Sequence, residues 1–277
     1  MEKKAKRRSN RLGTEGQMTD PIHRKTFQVR AVDIDQSGHI QPIIFIEYLL
    51  ESAAEHAGRY GLSVTDLFKK GLTWVLSRFH VEFFRYPEWG DTVEIRTWPS
   101  AQLPLFAVRD YEVSDGRGPM ASATSSWLIV DLKHKRPVRT DGHLAGFPIL
   151  ARRAVADDFS PLPAPSREDG LREFPVFFSD LDINRHVTAT AYVHLALESV
   201  PDEVLFGFRP AGIEVNFRAE AFYGDRILSR VERLSGGAKP SFLHRLSRSG
   251  DDKELTLLRT SWRPFQPGPE GPAPAKL

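Results

Sequence analysis

The sequence predicts an α+β protein made of two tandem copies of one unit, each a curved antiparallel sheet wrapped around a central helix. Three observations predict this: blocks of sequence that recur at constant spacing, one long apolar helix in each copy, and β-rich runs at hairpin spacing. The chain has 277 residues, enough for two ordinary domains.

The repeat consists of two blocks. The first begins at Asp33 as DIDQSGHI and recurs 147 residues later, at Asp180, as DLDINRHV. The second ends in Gly90-Asp91 and recurs 134 residues later, ending in Gly224-Asp225. We therefore expect an N-terminal unit at residues 21–135, a proline-containing crossover at 136–170 and a C-terminal unit at 171–265.

Each copy begins with an extended segment, at residues 26–32 or 173–178, followed by a polar loop and a helix. The predicted helices at 43–57 and 189–197 are apolar around most of their circumference, which indicates that each is enclosed. Pro42 suits a first helical turn. β-Branched and aromatic runs, which predict strands, follow at 74–86, 92–98, 106–113 and 121–130, and then at 212–222, 226–234, 241–248 and 255–262.

Composition excludes several classes of function. The 38 Lys and Arg residues nearly balance the 36 Asp and Glu residues, and six of these cations lie in the first eleven residues, so a nucleic-acid-binding face is not expected. No apolar run approaches the roughly 20 residues that span a bilayer, so no integral membrane contact is expected. The absence of cysteine excludes disulfides and a Cys nucleophile and fits a reducing compartment, here the cytoplasm. Residues 1–20 and 266–277 are predicted to be disordered tails.

One polar loop and one acidic residue are candidates for chemistry. The segment Asp182-Ile-Asn184-Arg-His186 lies between a predicted strand and a predicted helix, where side chains and helix N-terminal N–H groups converge. Glu220 lies on a predicted strand among apolar neighbours, so we expect its carboxylate to be buried. In the first copy, Ser37 takes the place of Asn184 and Tyr86 that of Glu220, so only the second copy has the complete set.

Structural explanations compete with these assignments. An Asx-rich turn that caps the helix would account for the loop, and an ion pair with Arg218 or Arg226 would account for Glu220. A calcium loop at Asp33 is rejected because its twelfth position is Ile44 instead of Glu. The histidines lack metal-ligand spacing, and neither a metal nor a cofactor is expected.

Four motifs carry a resemblance to a known family: the segments at 74–82, 89–91, 179–187 and 216–221. Over residues 27–264 the sequence resembles the acyl-acyl carrier protein thioesterases of bacteria and plant plastids. The resemblance implies two hot-dog domains, with catalysis in the C-terminal one and the acyl chain received largely by the N-terminal one. It places the catalytic residues at Asp182, Asn184, His186 and Glu220.

The hypothesis that follows is hydrolysis of a fatty acyl thioester on acyl carrier protein, which releases free fatty acid. Glu220 would take a proton from water, although the residues leave open whether His186 is the base, or whether a covalent acyl intermediate forms. Backbone N–H groups of Val187 and Thr188 would stabilise the oxyanion. Trp74 could line the acyl pocket.

Three other functions remain open: an acyl-coenzyme A thioesterase with the same chemistry, a hot-dog dehydratase or hydratase, and a non-enzymatic acyl binder. The expected partner is acyl carrier protein. A monomer is physically sufficient because the two copies reproduce a dimer within one chain, and a homodimer is equally open.

Overall fold

The computed structural model describes residues 20–264. The predicted tail at 266–277 lies outside this range, as does all of the predicted tail at 1–20 except Asp20. The strands of the first half are β1 (His23–Gln28), β2 (Leu72–Phe83), β3 (Thr92–Gln102), β4 (Ala107–Asp115), β5 (Gly118–Asp131) and β6 (Arg136–Val138). Those of the second half are β7 (Gly170–Pro175), β8 (Phe208–Phe217), β9 (Arg226–Ser235), β10 (Ser241–Arg248) and β11 (Glu254–Pro264). The helices are α1 (Pro42–Gly58), α2 (Val64–Phe68), α3 (Ala189–Leu197) and α4 (Asp202–Gly207).

All the strands belong to one antiparallel sheet. Its order is β1-β3-β4-β5-β2-β8-β11-β10-β9-β7, with β6 paired to β5. The two halves meet where β2 pairs with β8, in a register that places Phe79 opposite Val215. The sheet is therefore continuous across both copies.

The two long helices share one hydrophobic core with this sheet. Phe45 and Leu49 of α1 and Tyr192 and Val193 of α3 all belong to a single buried cluster, which also includes strand residues of both halves such as Ile213. Burial on several sides explains why both helices are apolar around most of their circumference. The predicted α+β class and the paired hot-dog architecture are confirmed. None of the helices within residues 20–264 has the length and apolar character needed to cross a membrane.

The repeat also holds in three dimensions. A 3-10 turn, Ala31–Asp33 or Phe178–Asp180, precedes each polar loop. Isolated bridges join His39 to Glu88 in the first copy and His186 to Phe222 in the second, as the two sequence offsets require. The two loops are therefore equivalent structures with different side chains.

The observed elements differ from the sequence prediction in two ways. The helices α2 and α4 and the three-residue strand β6 had not been predicted, because elements this short leave little periodicity to detect. Strand β8 ends at Phe217, so Glu220 lies beyond the strand on which it had been placed.

Candidate active site

The candidate catalytic loop, residues 181–187, is closed at its base by backbone pairing. Leu181 and Val187 form a bridge, and the N–H of Asp182 donates to the carbonyl oxygen of His186 at 2.9 Å. Arg185 adopts a φ of 63°, the left-handed conformation that Gly38, with φ 78°, adopts in the first copy. This conformation costs a non-glycine residue roughly 1 kcal/mol, so the loop holds some backbone strain.

The carboxylate of Asp182 organises the inside of the loop. It accepts hydrogen bonds from the backbone N–H of Asn184 at 2.8 Å, from Asn184 Nδ2 at 2.9 Å and from the backbone N–H of His186 at 3.1 Å. Hydrogen bonds from three donors to one carboxylate fix both the backbone and the orientation of the Asn184 amide.

Thr73 of β2 holds the other end of that amide. Its hydroxyl lies 3.4 Å from Asn184 Oδ1, although the two residues are 111 positions apart in the chain. The first half of the protein therefore contributes a side chain to the loop of the second half. No sequence pattern indicates a role for Thr73, because it belongs to none of the polar motifs.

His186 and Glu220 lie side by side. His186 Nδ1 is 3.3 Å from Glu220 Oε1, and the imidazole packs edge-on against the ring of Phe222 at a centroid distance of 5.2 Å. The expected burial of Glu220 is wrong: its side chain is 44% exposed, since it follows β8 in a surface segment.

The competing ion-pair explanation for Glu220 fails in this structure. Arg218 pairs with Glu254 at 2.9 Å, and Arg226 pairs with Glu173 at 2.7 Å. Within residues 20–264, the side chain that could pair with Glu220 is the imidazole of His186 in its protonated form.

The expected oxyanion donors need correction. The N–H of Val187 donates to the carbonyl oxygen of Ala221 at 3.0 Å, and that of Thr188 donates to the carbonyl oxygen of Asp180 at 2.8 Å. Both groups are consumed in holding the loop to its neighbours, so neither is available to a substrate in this arrangement. The Thr188 hydroxyl instead caps α3 by accepting from the Ala191 N–H at 3.2 Å.

The predicted pocket residue Trp74 lies next to Thr73 on β2. Its indole Nε1 donates to the carbonyl oxygen of Leu62 at 2.8 Å, and its ring meets that of Trp127 edge-on at 6.3 Å. Trp74 thus packs against an apolar cluster of the first half, and its contact with substrate stays a prediction.

The equivalent loop of the first copy is closed by an ion pair. Asp35, the counterpart of Asp182, pairs with Arg209 at the start of β8. Burial opposes ionisation of Asp35, but the pairing with Arg209 outweighs it and lowers the pKa of the carboxyl group. Tyr86, the counterpart of Glu220, is buried and donates its hydroxyl proton to the carbonyl oxygen of Pro210 at 2.8 Å.

Comparison with known proteins places the chain in a family. Residues 20–145 match the family model of the acyl-ACP thioesterase N-terminal domain, and residues 164–264 match that of the C-terminal domain. The chain belongs to the acyl-ACP thioesterase family. It is similar to a chloroplastic acyl-[acyl-carrier-protein] hydrolase of Cuphea viscosissima, with 29% identity over 92% of this chain and 66% of the relative. It is also similar to a chloroplastic oleoyl-acyl carrier protein thioesterase of Arabidopsis thaliana, with 28% identity over 87% of this chain and 76% of the relative.

A solved acyl-ACP thioesterase supports the same membership. The 12:0-ACP thioesterase from Umbellularia californica superposes with a TM-score of 0.80 at 26% identity, covering 88% of this chain and 94% of that one. This chain spans 66% of the length of the Cuphea viscosissima hydrolase and 62% of a palmitoyl-acyl carrier protein thioesterase of Cuphea hookeriana.

Proposed function

We propose that this acyl-ACP thioesterase family member hydrolyses the thioester of fatty acyl-acyl carrier protein and releases free fatty acid. The observation that carries the proposal is the cluster of Asp182, Asn184, His186 and Glu220 in one loop and its neighbour, with His186 and Glu220 3.3 Å apart. The equivalent loop of the first copy has the same backbone but has Tyr86 in place of the second carboxylate.

His186 is the general base in this proposal. Glu220 lies on the Nδ1 side of the imidazole, so it favours the tautomer that carries its proton on Nδ1 and leaves Nε2 to accept a proton from water. The water oxygen then bonds to the carbonyl carbon, and Glu220 stabilises the imidazolium that forms. When the C–S bond breaks, the thiolate leaves and takes the proton back from Nε2.

Asn184 replaces Val187 and Thr188 as the proposed oxyanion donor. Thr73 and Asp182 hold its amide at opposite ends, and one of the two Nδ2 protons is used by Asp182. The second Nδ2 proton is then oriented to donate to the carbonyl oxygen as negative charge develops. An amide fixed before the reaction needs no reorganisation, and losing one such donor typically lowers the rate by about 100- to 1,000-fold.

The proposal assigns catalysis to the second half of the protein and binding of the acyl chain to the first half. The acyl chain lies against the first half, because Trp74 and its apolar cluster are next to Thr73, which contacts Asn184. The limits of the two units at 21–135 and 171–265, and a cytoplasmic location, stay predictions.

The test measures free fatty acid released from acyl carrier protein and coenzyme A thioesters of the same acyl chains. We expect hydrolysis of the carrier-protein thioesters, with kcat reduced at least about 100-fold in His186→Ala, Glu220→Gln and Asn184→Asp. His39→Ala, at the equivalent position of the first copy, is the matched control and should keep near-wild-type kcat. If the protein hydrolyses only the coenzyme A thioesters, acyl carrier protein is not the carrier. If the folded wild type cleaves neither substrate, the proposed thioesterase activity is wrong.

A further inference from the structure

The catalytic loop is surrounded by exposed apolar side chains. Five of them, between 43% and 82% exposed, form what we call the apolar collar. These residues are Phe177, Phe178, Ile183, Phe222 and Tyr223. Ile183 is next to Asn184 in the loop, and the bridge from His186 to Phe222 joins the loop to the β8–β9 turn. The N–H of Val176 donates to the carbonyl oxygen of Asp225 at 2.9 Å, and this bond connects the segment that carries Phe177 and Phe178 to the same turn.

The first copy shows that the loop does not need this collar to fold. There the backbone makes the same bonds: the N–H of Arg30 donates to Asp33 as that of Phe177 does to Asp180, at 2.9 and 2.7 Å. Yet four of the five equivalent residues are polar or small, and only one is a large aromatic side chain. The equivalents are Arg30, Ala31, Gln36, Glu88 and Trp89. Exposing five large apolar side chains to water is unfavourable. A binding partner that covers them would account for their presence at this surface.

A group of cations lies near the start of β2, the strand whose Thr73 hydroxyl contacts Asn184 of the catalytic loop. The cationic cluster consists of exposed residues from the end of α2 and from the β5–β6 turn. Its members are Lys69, Lys70, Lys133, Lys135 and Arg136. The two segments are joined where the N–H of Leu132 donates to the carbonyl oxygen of Gly71 at 2.9 Å, two residues before Thr73.

These cations are available for a partner of opposite charge. Within residues 20–264, Lys69 is 3.5 Å from Asp66, and the other four have no carboxylate within ion-pairing distance. By contrast, Arg209, Arg218 and Arg226 are each paired with a carboxylate of this chain.

We propose that the apolar collar and the cationic cluster together form the docking surface for the acidic acyl carrier protein that delivers the thioester. The inference rests on the proposed function. The thioester is tethered to its carrier by the pantetheine arm, so the carrier must rest beside the loop that receives the reacting carbon. Apolar contacts hold the carrier there, and the lysines attract its acidic surface and orient it.

Two variants test the surface. Phe177→Ala/Phe178→Ala removes the two collar residues that lie outside both the catalytic loop and the β8–β9 turn, and Phe178→Ala introduces the residue found at the equivalent position of the first copy, Ala31. Lys133→Glu/Lys135→Glu reverses the charge of the cationic cluster. Trp89→Ala, an exposed aromatic residue of the first copy, and Lys253→Glu, on the exposed β10–β11 turn, are the matched controls.

The readout compares one acyl chain carried by acyl carrier protein and by free pantetheine. We expect KM for the carrier-protein thioester to rise about 10-fold or more in each test variant, while kcat and the rate with acyl-pantetheine stay unchanged. The effect of charge reversal should shrink as salt is added. Both controls should match the wild type.

The outcomes separate this inference from the proposed function. Equal loss on both thioesters, or no loss on either, would overturn the docking surface and leave hydrolysis intact. If the wild type cleaves neither acyl-pantetheine nor the acyl thioester of acyl carrier protein, the proposed function itself is wrong. If the wild type sediments with anionic phospholipid vesicles and the variants do not, at unchanged KM for the carrier, the surface binds membranes and the carrier-protein assignment is wrong.

Discussion

A single hydrogen bond beneath Glu220 offers the sharpest test of how this site is built. The backbone N–H of Ala221 donates to the hydroxyl of Tyr192 on α3 at 2.8 Å, and both residues are buried. Because Ala221 follows Glu220, the bond fixes the backbone that carries the carboxylate. Burial raises the pKa of the Tyr192 hydroxyl, so the group stays uncharged in the folded protein.

The first copy lacks both partners of this bond. The counterpart of Tyr192 is Phe45, which has no hydroxyl, and the counterpart of Ala221 is Pro87, which has no N–H. The backbone is otherwise the same, since Pro87 accepts from the N–H of Ile40 at 2.9 Å as Ala221 accepts from that of Val187. The repeat thus contains a natural double substitution at this pair.

Tyr192→Phe leaves a buried N–H without an acceptor, which costs about 1–3 kcal/mol of unfolding free energy. For a protein of this size that corresponds to a fall of roughly 2–4 °C in Tm for each kcal/mol. Adding Ala221→Pro removes the stranded donor, so the double variant should recover about 1 kcal/mol or more relative to the sum of the two single variants. Proline fits because the equivalent position of the first copy already holds one.

Chemical denaturation of the four proteins gives the coupling free energy, and thioester hydrolysis gives the effect on the site. We expect Tyr192→Phe to lower kcat by about 10-fold, because Glu220 loses its fixed position beside His186. Losses of stability that simply add, with no recovery in Tyr192→Phe/Ala221→Pro, would refute the hydrogen-bond argument. A wild-type kcat in Tyr192→Phe would show that the bond supports the fold alone.

Three further predictions concern the loops and the core. Thr73→Val should lower kcat for thioester hydrolysis about 10-fold by releasing the Asn184 amide, with little change in Tm; an unchanged kcat would argue against a role for the first half in the site. Arg209→Met should cost about 2 kcal/mol in denaturation experiments, because it leaves the partly buried Asp35 without its cation, yet it should spare acyl-pantetheine hydrolysis. Burial lowers the pKa of His244 to about 3, below the unfolded value of 6.5, so the unfolded chain binds the extra proton and stability falls as pH drops from about 6.5 toward 3. The slope is about 1 kcal/mol per pH unit, and His244→Gln should flatten the pH dependence of Tm, whereas the exposed His194→Gln should not.

The sequence alone determined the repeat, the two central helices and the equivalence of the two loops. These features are local or periodic: an apolar helix can be recognised from its own residues, and α3 was predicted with its observed bounds. The two offsets make His186 equivalent to His39 and Glu220 equivalent to Tyr86 in the repeat, and the bridges in the structure have the same offsets. The candidate residues could therefore be named before any contact was known.

Which groups of the site are available to a substrate depends on contacts between distant parts of the chain. Val187 and Thr188 were predicted as oxyanion donors because they precede a helix, but their N–H groups donate to the carbonyl oxygens of Ala221 and Asp180. Thr73 meets Asn184 across 111 residues because β2 and β8 are neighbours in the sheet. Hydrogen-bond partners and burial depend on chain segments that are distant in sequence. Local sequence patterns do not show which distant segments will be in contact.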